Sequence, residues 1–177
     1  DDQFTKAGAK IVDSVEQLFS SADIILKVQR PIENPSLYKH ELDLMKKGSL
    51  LIALAYVRHY TDVSKQCAEK GIDFISMDVI PRTTLAQKMD ALSSQANLAG
   101  YKSVLLAANE LRKIFPMLMT AAGTIKPAKV VIMGAGVAGL QALGTAKRLG
   151  AVVEVSDVRP AVKEEVQSLG GKFIEVD

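Results

Sequence analysis

The segment 129–157 constrains the fold of this chain more than any other part of its sequence. It begins with an apolar strand, KVVIM, which is followed by Gly134, Gly136 and Gly139 in G-x-G-x-x-G order. A helix with small apolar residues on one face comes next, and a second apolar strand, AVVEVS, leads to Asp157. Strand, glycine loop, helix and strand in this order predict a βαβ unit with a right-handed crossover.

Each glycine of this motif has a physical role in binding a dinucleotide. Gly134 permits the tight turn, Gly136 lets a pyrophosphate approach the backbone, and Gly139 lets helix and strand pack closely. Val137 and Ala138 open the helix, whose free N–H groups and positive dipole end face the phosphates. The loop therefore predicts dinucleotide binding, and a βαβ turn without a nucleotide is the alternative.

The acidic residue after the second strand indicates which dinucleotide binds. Asp157 is expected to accept hydrogen bonds from the adenosine ribose hydroxyls and to repel a 2′-phosphate, so NAD(H) is favoured over NADP(H). Val158 and Arg159 complete the predicted contact set. Arg159 weakens the preference, because a guanidinium can pair with a 2′-phosphate.

Strand-like and helix-like segments alternate along the rest of the chain. Predicted strands cover 22–28, 49–54, 72–77, 129–134, 151–156 and 172–176; predicted helices cover 34–48, 61–71, 84–114, 137–149 and 160–169. The fold class is α/β, with two Rossmann-like parallel-sheet lobes joined by a long helix. We expect an N-terminal α/β lobe at 1–83 and, at 84–177, the linker helix with the first three strands of the nucleotide lobe. Both lobes are expected to be incomplete in this chain.

Composition excludes several classes of function. A net charge of +2 without a basic run gives no electrostatic case for nucleic acid. No apolar run approaches the roughly 20 residues that cross a bilayer, so we expect no membrane insertion, and the first residues do not resemble a signal peptide. No histidine or cysteine spacing predicts a metal site. Cys67 is expected to be a small buried residue, with a reactive thiol as the alternative.

A polar stretch, PRTTLAQKMDALSSQ at 81–95, is the second candidate site. Its noteworthy polar residues are Arg82, Gln87, Asp90 and Ser93. On a helix the last three share one face, since they are three residues apart. One interpretation is a ligand site; the other is a solvated helix start, with Thr83 or Thr84 as N-cap and Gln87 completing a capping box.

Three segments carry a resemblance to a known family: RTTLAQKMDALSSQANLAGYKSVL, FPMLMTAAGTIKPAKVVIMGAGVAGLQALGTAKRLGA and DVRPAVKEEVQSLGGKF. They resemble the NAD(H)-binding domain (domain I) of proton-translocating NAD(P) transhydrogenase α subunits, in the alanine dehydrogenase/transhydrogenase family. The resemblance covers essentially the whole chain, and the family's domain is about twice as long.

The resemblance implies an enzyme that transfers hydride directly from NADH to NADP⁺ held on a separate NADP-binding domain III. A membrane domain of the same enzyme couples this step to proton translocation. The resemblance also implies a homodimer and a peripheral location on the cytoplasmic side of a bacterial inner membrane, or on the matrix side in mitochondria. The isolated chain can lack activity.

Site residues are carried over by position. Arg82, Asp90 and Ser93 are expected to order the nicotinamide end of NADH, and Gln87 to reach towards the NADP⁺; Arg82, Gln87 and Asp90 form the expected catalytic set. Lys27 aligns with a substrate lysine of alanine dehydrogenases, although a structural role is favoured. The alternatives are an alanine-dehydrogenase-like oxidoreductase and a non-catalytic NAD-binding module.

Overall fold

The computed structural model describes residues 2–175. The chain divides into two compact units, the first ending at Asp90 and the second beginning at Ala91. The elements of the first unit are α1 (Asp2–Lys6), α2 (Val15–Ser21), β1 (Ile24–Gln29), β2 (Glu33–Asn34), β3 (Lys39–His40), α3 (Glu41–Leu44), β4 (Leu50–Leu54), α4 (Thr61–Lys70) and β5 (Asp73–Ser76). Those of the second are α5 (Ala91–Glu110), β6 (Leu118–Thr120), β7 (Gly123–Ile125), β8 (Lys129–Met133), α6 (Val137–Arg148), β9 (Val152–Ser156), α7 (Lys163–Ser168) and β10 (Lys172–Ile174).

The first unit is built on a parallel sheet with the order β1-β4-β5. Leu51 of the central strand pairs with Ile25 on one side and Phe74 on the other. Its side chain is fully buried, and Val63 and Cys67 of α4 belong to the same apolar cluster. The prediction that Cys67 is buried is confirmed, and burial raises the pKa of its thiol.

The second unit is also built on a parallel sheet, in the order β10-β9-β8. This is the 3-2-1 order of one half of a doubly wound nucleotide-binding fold. Val153 and Val155 of β9 are buried with Leu143 of α6 and Val166 of α7. The α/β class with Rossmann-like parallel sheets is therefore confirmed.

The predicted helix at 34–48 is wrong except for the short helix α3, Glu41–Leu44. The Oδ1 atom of Asn34 accepts hydrogen bonds from the backbone N–H groups of Ser36 and Leu37, at 3.0 and 3.2 Å. Tyr38 follows with a positive φ of 50°. This side-chain-stabilised turn joins β2 to β3 in a hairpin, because asparagine competes for backbone donors that a helix would need.

The predicted helix at 84–114 is too long at both ends. Residues Gln87–Met89 form a separate 3₁₀ turn, and α5 runs from Ala91 to Glu110. Asp90 separates them because its ψ of 82° is not helical. Gln87 and Asp90 therefore do not lie on the helix that carries Ser93.

Three smaller differences concern the second unit. A hairpin of antiparallel β6 and β7 lies between the predicted helix 84–114 and the predicted strand 129–134, where no strand is predicted. The predicted helix at 160–169 consists of a 3₁₀ turn, Pro160–Val162, followed by α7. The predicted strand 172–176 ends at Ile174, and Val176 lies outside the described residues.

The loop after β4 is organised by the carboxylate of Asp78. Three consecutive backbone N–H groups donate to it: those of Ala55 at 3.1 Å, Tyr56 at 2.9 Å and Val57 at 3.1 Å. The hydroxyl of Ser76 donates to the same carboxylate. These bonds hold Tyr56 at a positive φ of 52°, a left-handed conformation that costs a non-glycine residue about 1–2 kcal/mol.

Removal of this carboxylate is expected to destabilise the first unit. Asp78→Ala removes the acceptor of the Tyr56 and Val57 amides and leaves the Ala55 amide only the Ser76 hydroxyl at 3.4 Å, so the free energy of unfolding should fall by about 2 kcal/mol or more. Urea unfolding followed by circular dichroism measures the change. Asp73→Ala, at an exposed acidic residue of β5, is the matched control and should be nearly neutral.

The same contact predicts that the stability of the first unit decreases at acid pH. Burial would raise the pKa of Asp78, but the hydrogen bonds from Ser76, Tyr56 and Val57 outweigh it and lower the pKa below its ordinary value. Its stabilisation is therefore complete above the unfolded-state pKa of about 3.9 and is lost as pH falls through the lower folded-state value. A stability difference between wild type and Asp78→Ala that stays constant down to pH 2 would contradict this account.

Candidate functional site

The glycine loop between β8 and α6 has open space around its first two glycines. Gly134 has a positive φ of 102°, and Gly136 precedes α6 in an extended conformation, with φ −81° and ψ −171°. A Cβ atom built on either residue would have no heavy atom within 4 Å. The backbone of the loop is therefore accessible to a phosphate group.

Gly139, by contrast, is pressed against the turn. A Cβ atom on Gly139 would lie 1.8 Å from the carbonyl oxygen of Gly134. The first turn of α6 therefore begins directly behind the end of β8. The N–H groups of Val137 and Ala138 have no acceptor within an α-helix and lie at its positive end.

Gly100 of α5 makes a second close backbone contact, which the sequence reasoning missed. A Cβ atom on Gly100 would lie 2.1 Å from the carbonyl oxygen of Ala138, in the first turn of α6. A hollow of about 420 Å³ lies beside this contact, lined by residues that include Ser103 and Gly136. A glycine inside a helix costs about 1 kcal/mol of helix stability relative to alanine. Its presence within the predicted helix 84–114 was therefore the sequence signal for close packing at this position.

Asp157 lies directly beside the glycine loop. Its Oδ2 atom accepts a hydrogen bond from the backbone N–H of Ala135 at 2.7 Å, and its Oδ1 atom accepts one from the backbone N–H of Arg159 at 2.8 Å. The guanidinium of Arg159 donates to both oxygens, each at 2.9 Å. The sequence motif is thus assembled at one edge of the second sheet, with the acid tied to the loop.

These contacts fix the charge of Asp157. The Arg159 guanidinium lowers the pKa of the Asp157 carboxyl far below its ordinary value, and the N–H groups of Ala135 and Arg159 lower it further. The same pair raises the pKa of the Arg159 side chain. The carboxylate is therefore ionised at any physiological pH.

A cavity of about 560 Å³ adjoins Asp157. Its lining includes Val158, a residue that is 97% exposed, and Phe173. Lys163 and Glu175 also line it and form an ion pair at 2.6 Å. The sequence reasoning missed Lys163, Phe173 and Glu175, because they come from other elements of the unit.

The polar set from the stretch 81–95 is divided between the two units. Arg82 and Gln87 are exposed and Asp90 is half-buried in the first unit, whereas Ser93 is half-buried on α5 in the second. The expectation that one helical face carries Gln87, Asp90 and Ser93 is wrong. Their role in ligand binding stays a prediction.

The capping-box interpretation of the same stretch is wrong as well. The backbone N–H of Ala86 donates to the carbonyl of Thr83 at 3.0 Å in a turn. Ala86 then precedes the 3₁₀ turn Gln87–Met89, and no side chain caps that turn.

Lys27 is engaged within the first unit. Its ammonium pairs with the carboxylate of Glu41, which also accepts a hydrogen bond from the backbone N–H of Ile32 at 3.0 Å. Glu41 is 8% exposed. A buried carboxylate of this kind needs a cationic partner, so the structure gives Lys27 a structural contact.

Residues 2–175 contain neither a cluster of metal ligands nor a helix able to span a membrane. No group of three or more His, Cys, Asp or Glu residues in this part of the chain is placed to hold a metal ion. None of the helices described there combines the length and the apolar character needed to cross a bilayer.

Comparison with known proteins gives the family. The model of the alanine dehydrogenase/PNT N-terminal domain matches residues 1–99, and that of the alanine dehydrogenase/PNT C-terminal domain matches residues 103–177. The chain belongs to the alanine dehydrogenase/PNT family. The resemblance stated from the sequence is therefore confirmed, and relatives in this family are oxidoreductases.

Individual relatives fall into two groups. An NAD(P) transhydrogenase subunit alpha polypeptide of Rhodospirillum rubrum is 49% identical over 100% of this chain and 46% of its own length. The NAD(P) transhydrogenase subunit alpha of Haemophilus influenzae is 44% identical over 100% of this chain and 33% of its own length. The alanine dehydrogenase of Methanococcus maripaludis is 28% identical over 89% of this chain and 41% of its own length.

Solved structures agree with this grouping. The crystal structure of transhydrogenase from Sinorhizobium meliloti matches with a TM-score of 0.88 and 48% identity, over 100% of this chain and 49% of that one. An L-alanine dehydrogenase matches with a TM-score of 0.78 and 26% identity, over 100% of this chain and 48% of that one. The chain spans about half the length of these structures.

A substitution at Gly139 tests the close approach of α6 to the turn. Gly139→Ala places a methyl group against the Gly134 carbonyl, so we expect a loss of about 1–3 kcal/mol in the free energy of unfolding. Chemical denaturation followed by circular dichroism measures it. Gly144→Ala is the matched control in the same helix; its Cβ would meet only the flexible Arg148 side chain at 3.4 Å, so it should be neutral or stabilising. Equal effects of the two substitutions would refute the packing role.

Proposed function

We propose that this chain is the NAD(H)-binding component of an NAD(P) transhydrogenase. It transfers hydride between NADH bound here and NADP⁺ held on a partner domain, and a membrane domain couples that transfer to proton translocation. NADH, when bound, supplies the hydride; the residues of this chain bind and orient it.

The observation that carries the proposal is the attachment of Asp157 to the glycine loop. Its Oδ2 atom lies 2.7 Å from the N–H of Ala135, inside the G-x-G-x-x-G turn. The glycine loop, proposed to bind the pyrophosphate, and Asp157, proposed to accept the ribose hydroxyls, thus lie at one sheet edge, which supports dinucleotide binding. The open backbone at Gly134 and Gly136 and the amide end of α6 fit the pyrophosphate.

Two observations support a transhydrogenase rather than an alanine dehydrogenase. Relatives named as transhydrogenase α subunits are 42–49% identical to this chain, whereas those named alanine dehydrogenase are 28–30% identical. In addition, the amine of Lys27, aligned by resemblance with a substrate lysine, is held by Glu41. A non-catalytic nucleotide-binding module has no observation that favours it.

The nicotinamide end is assigned to the segment 82–93. Hydride transfer between two nicotinamides requires the placement of two rings and no obligatory acid, base or nucleophile. Arg82, Asp90 and Ser93 are proposed to order the NADH ring. Gln87 is proposed to reach the partner's NADP⁺, a role that its exposed position on a 3₁₀ turn supports.

The proposed partners rest on the resemblance to transhydrogenase α subunits. We propose an NADP-binding domain III and a membrane domain as obligatory partners, a homodimer of this component, and a peripheral location on the cytoplasmic side of a bacterial inner membrane or the mitochondrial matrix side.

One reconstitution tests the proposed function. The natural full-length polypeptide is mixed with an NADP-binding partner domain, and hydride transfer from NADH to an NADP⁺ analogue is followed spectroscopically. Direct transfer between the nucleotides is expected. NADH oxidation that depends on pyruvate and ammonia, without transfer between nucleotides, would establish the alanine dehydrogenase reaction instead.

Gly136→Ala separates nucleotide binding from folding. The position has an extended backbone and open space around it, so alanine should leave the free energy of unfolding unchanged. The added methyl group occupies the volume through which a pyrophosphate approaches, and NADH affinity should fall about tenfold or more. Calorimetric titration with NADH measures the loss of affinity. An unchanged affinity would contradict the proposal that this loop binds the pyrophosphate.

Gln87→Asn tests whether the Gln87 side chain contacts NADP⁺ and not NADH. Shortening this exposed side chain by one methylene should slow hydride transfer about tenfold or more, because ring placement is sensitive to small displacements. NADH affinity should stay nearly unchanged. Gln95→Asn, the same change at an exposed position of α5, should affect neither quantity. A large loss of NADH affinity in Gln87→Asn would assign that side chain to NADH.

A further inference from the structure

The carboxylate that the proposed function assigns to the ribose is fully occupied by hydrogen bonds from the protein itself. Oδ1 of Asp157 accepts from the backbone N–H and the Nε–H of Arg159, at 2.8 and 2.9 Å. Oδ2 accepts from the backbone N–H of Ala135 and from the Nη2 group of Arg159, at 2.7 and 2.9 Å. A carboxylate offers about four acceptor positions, so none remains for a ligand hydroxyl.

The donors differ in how easily they can leave. The N–H groups of Ala135 and Arg159 belong to the backbone of the glycine loop and of the segment after β9, and they are fixed by the fold. The guanidinium is carried by a long side chain that is 58% exposed, whereas the Asp157 side chain is 6% exposed. The guanidinium of Arg159 is therefore the donor that a ligand can displace from the carboxylate.

The guanidinium also matches the ligand in shape. It donates one hydrogen bond to each oxygen of Asp157 in a bidentate pair. The 2′- and 3′-hydroxyls of a ribose are likewise two neighbouring donors that one carboxylate can accept. If the guanidinium leaves, each oxygen keeps one backbone donor and regains one free acceptor position, which is what the two hydroxyls need.

We propose that Arg159 is an internal competitor for the adenosine ribose and thereby sets both the affinity and the selectivity of the nucleotide site. This inference rests on the proposed assignment of the glycine loop and Asp157 to NADH. NADH binds by exchange, in which the ribose hydroxyls replace the guanidinium on Asp157. The apparent affinity for NADH is lowered by the fraction of molecules in which the pair is closed.

The released guanidinium has a different effect on NADPH. A 2′-phosphate has no hydrogen to donate to Asp157 and carries negative charge towards it. It can pair with the guanidinium, which is a bidentate phosphate ligand. Arg159 therefore weakens NADH binding and supports NADPH binding, so its removal should sharpen the preference for NADH.

Titration calorimetry on the natural full-length polypeptide tests the competition. Arg159→Ala should bind NADH about three- to tenfold more tightly than wild type, since it removes an exposed bidentate ion pair of modest strength. NADPH binding should weaken or disappear. Arg148→Ala removes the same charge at the opposite end of α6 and, as control, should leave NADH affinity unchanged. Equal or weaker NADH binding by Arg159→Ala overturns the inference.

The closed pair can also be observed directly. The Nε–H proton of Arg159, assigned by its absence in Arg159→Lys, should exchange slowly with solvent in the free protein and rapidly once NADH is added, as followed by nitrogen-15 NMR. A signal that exchanges rapidly in the free protein, or that NADH leaves unchanged, overturns the inference while the NADH site stands. Absence of NADH binding in wild type and in every variant overturns the proposed function, and the inference falls with it.

Discussion

The close backbone approach of α6 to the end of β8 is the constraint on which the second unit depends. Gly139 allows the helix to start against the Gly134 carbonyl, and Gly100 allows α5 to cross the same first turn of α6. Both contacts place backbone against backbone, where a single methyl group does not fit. The N-terminal end of α6, which is proposed to bind phosphate, is thus positioned by two close backbone contacts that only glycine permits.

Asp157 connects this packing to the proposed nucleotide site. The N–H of Ala135 belongs to the glycine loop and donates to the Asp157 carboxylate at the end of the neighbouring strand. Because β8 and β9 are parallel and in register, their carboxyl ends meet and the two halves of the motif come together. The strand register and the hydrogen bond therefore hold the glycine loop and Asp157 together at one edge of the sheet.

The second unit was largely predictable from the sequence, because its signals are local and consistent with one another. An apolar strand, three spaced glycines and a helix with one apolar face each require the same geometry. The stretches 34–48 and 84–90 were not predictable in this way. Apolar residues have helical spacing in both stretches, but an Asx turn at Asn34 and the non-helical ψ of Asp90 prevent a continuous helix. The hydrogen-bond saturation of Asp157 was also beyond reach, since it depends on the rotamer of Arg159.

The loop after β4 shows that a loop following a parallel strand can be prevented from binding phosphate. Consecutive amides of residues 55–57 form a concave cradle of the kind that binds anions, at the carboxyl edge of a parallel sheet. In this unit the cradle is neutralised by the protein's own carboxylate, Asp78. The backbone amides of residues 55–57 already donate to Asp78. A nucleotide that approaches this loop would therefore find no free donor and would be repelled by the negative charge of the carboxylate. Of the two loops, the one after β4 is therefore closed to a polyanion by Asp78, whereas the glycine loop, which is proposed to bind the pyrophosphate, keeps open space at Gly134 and Gly136.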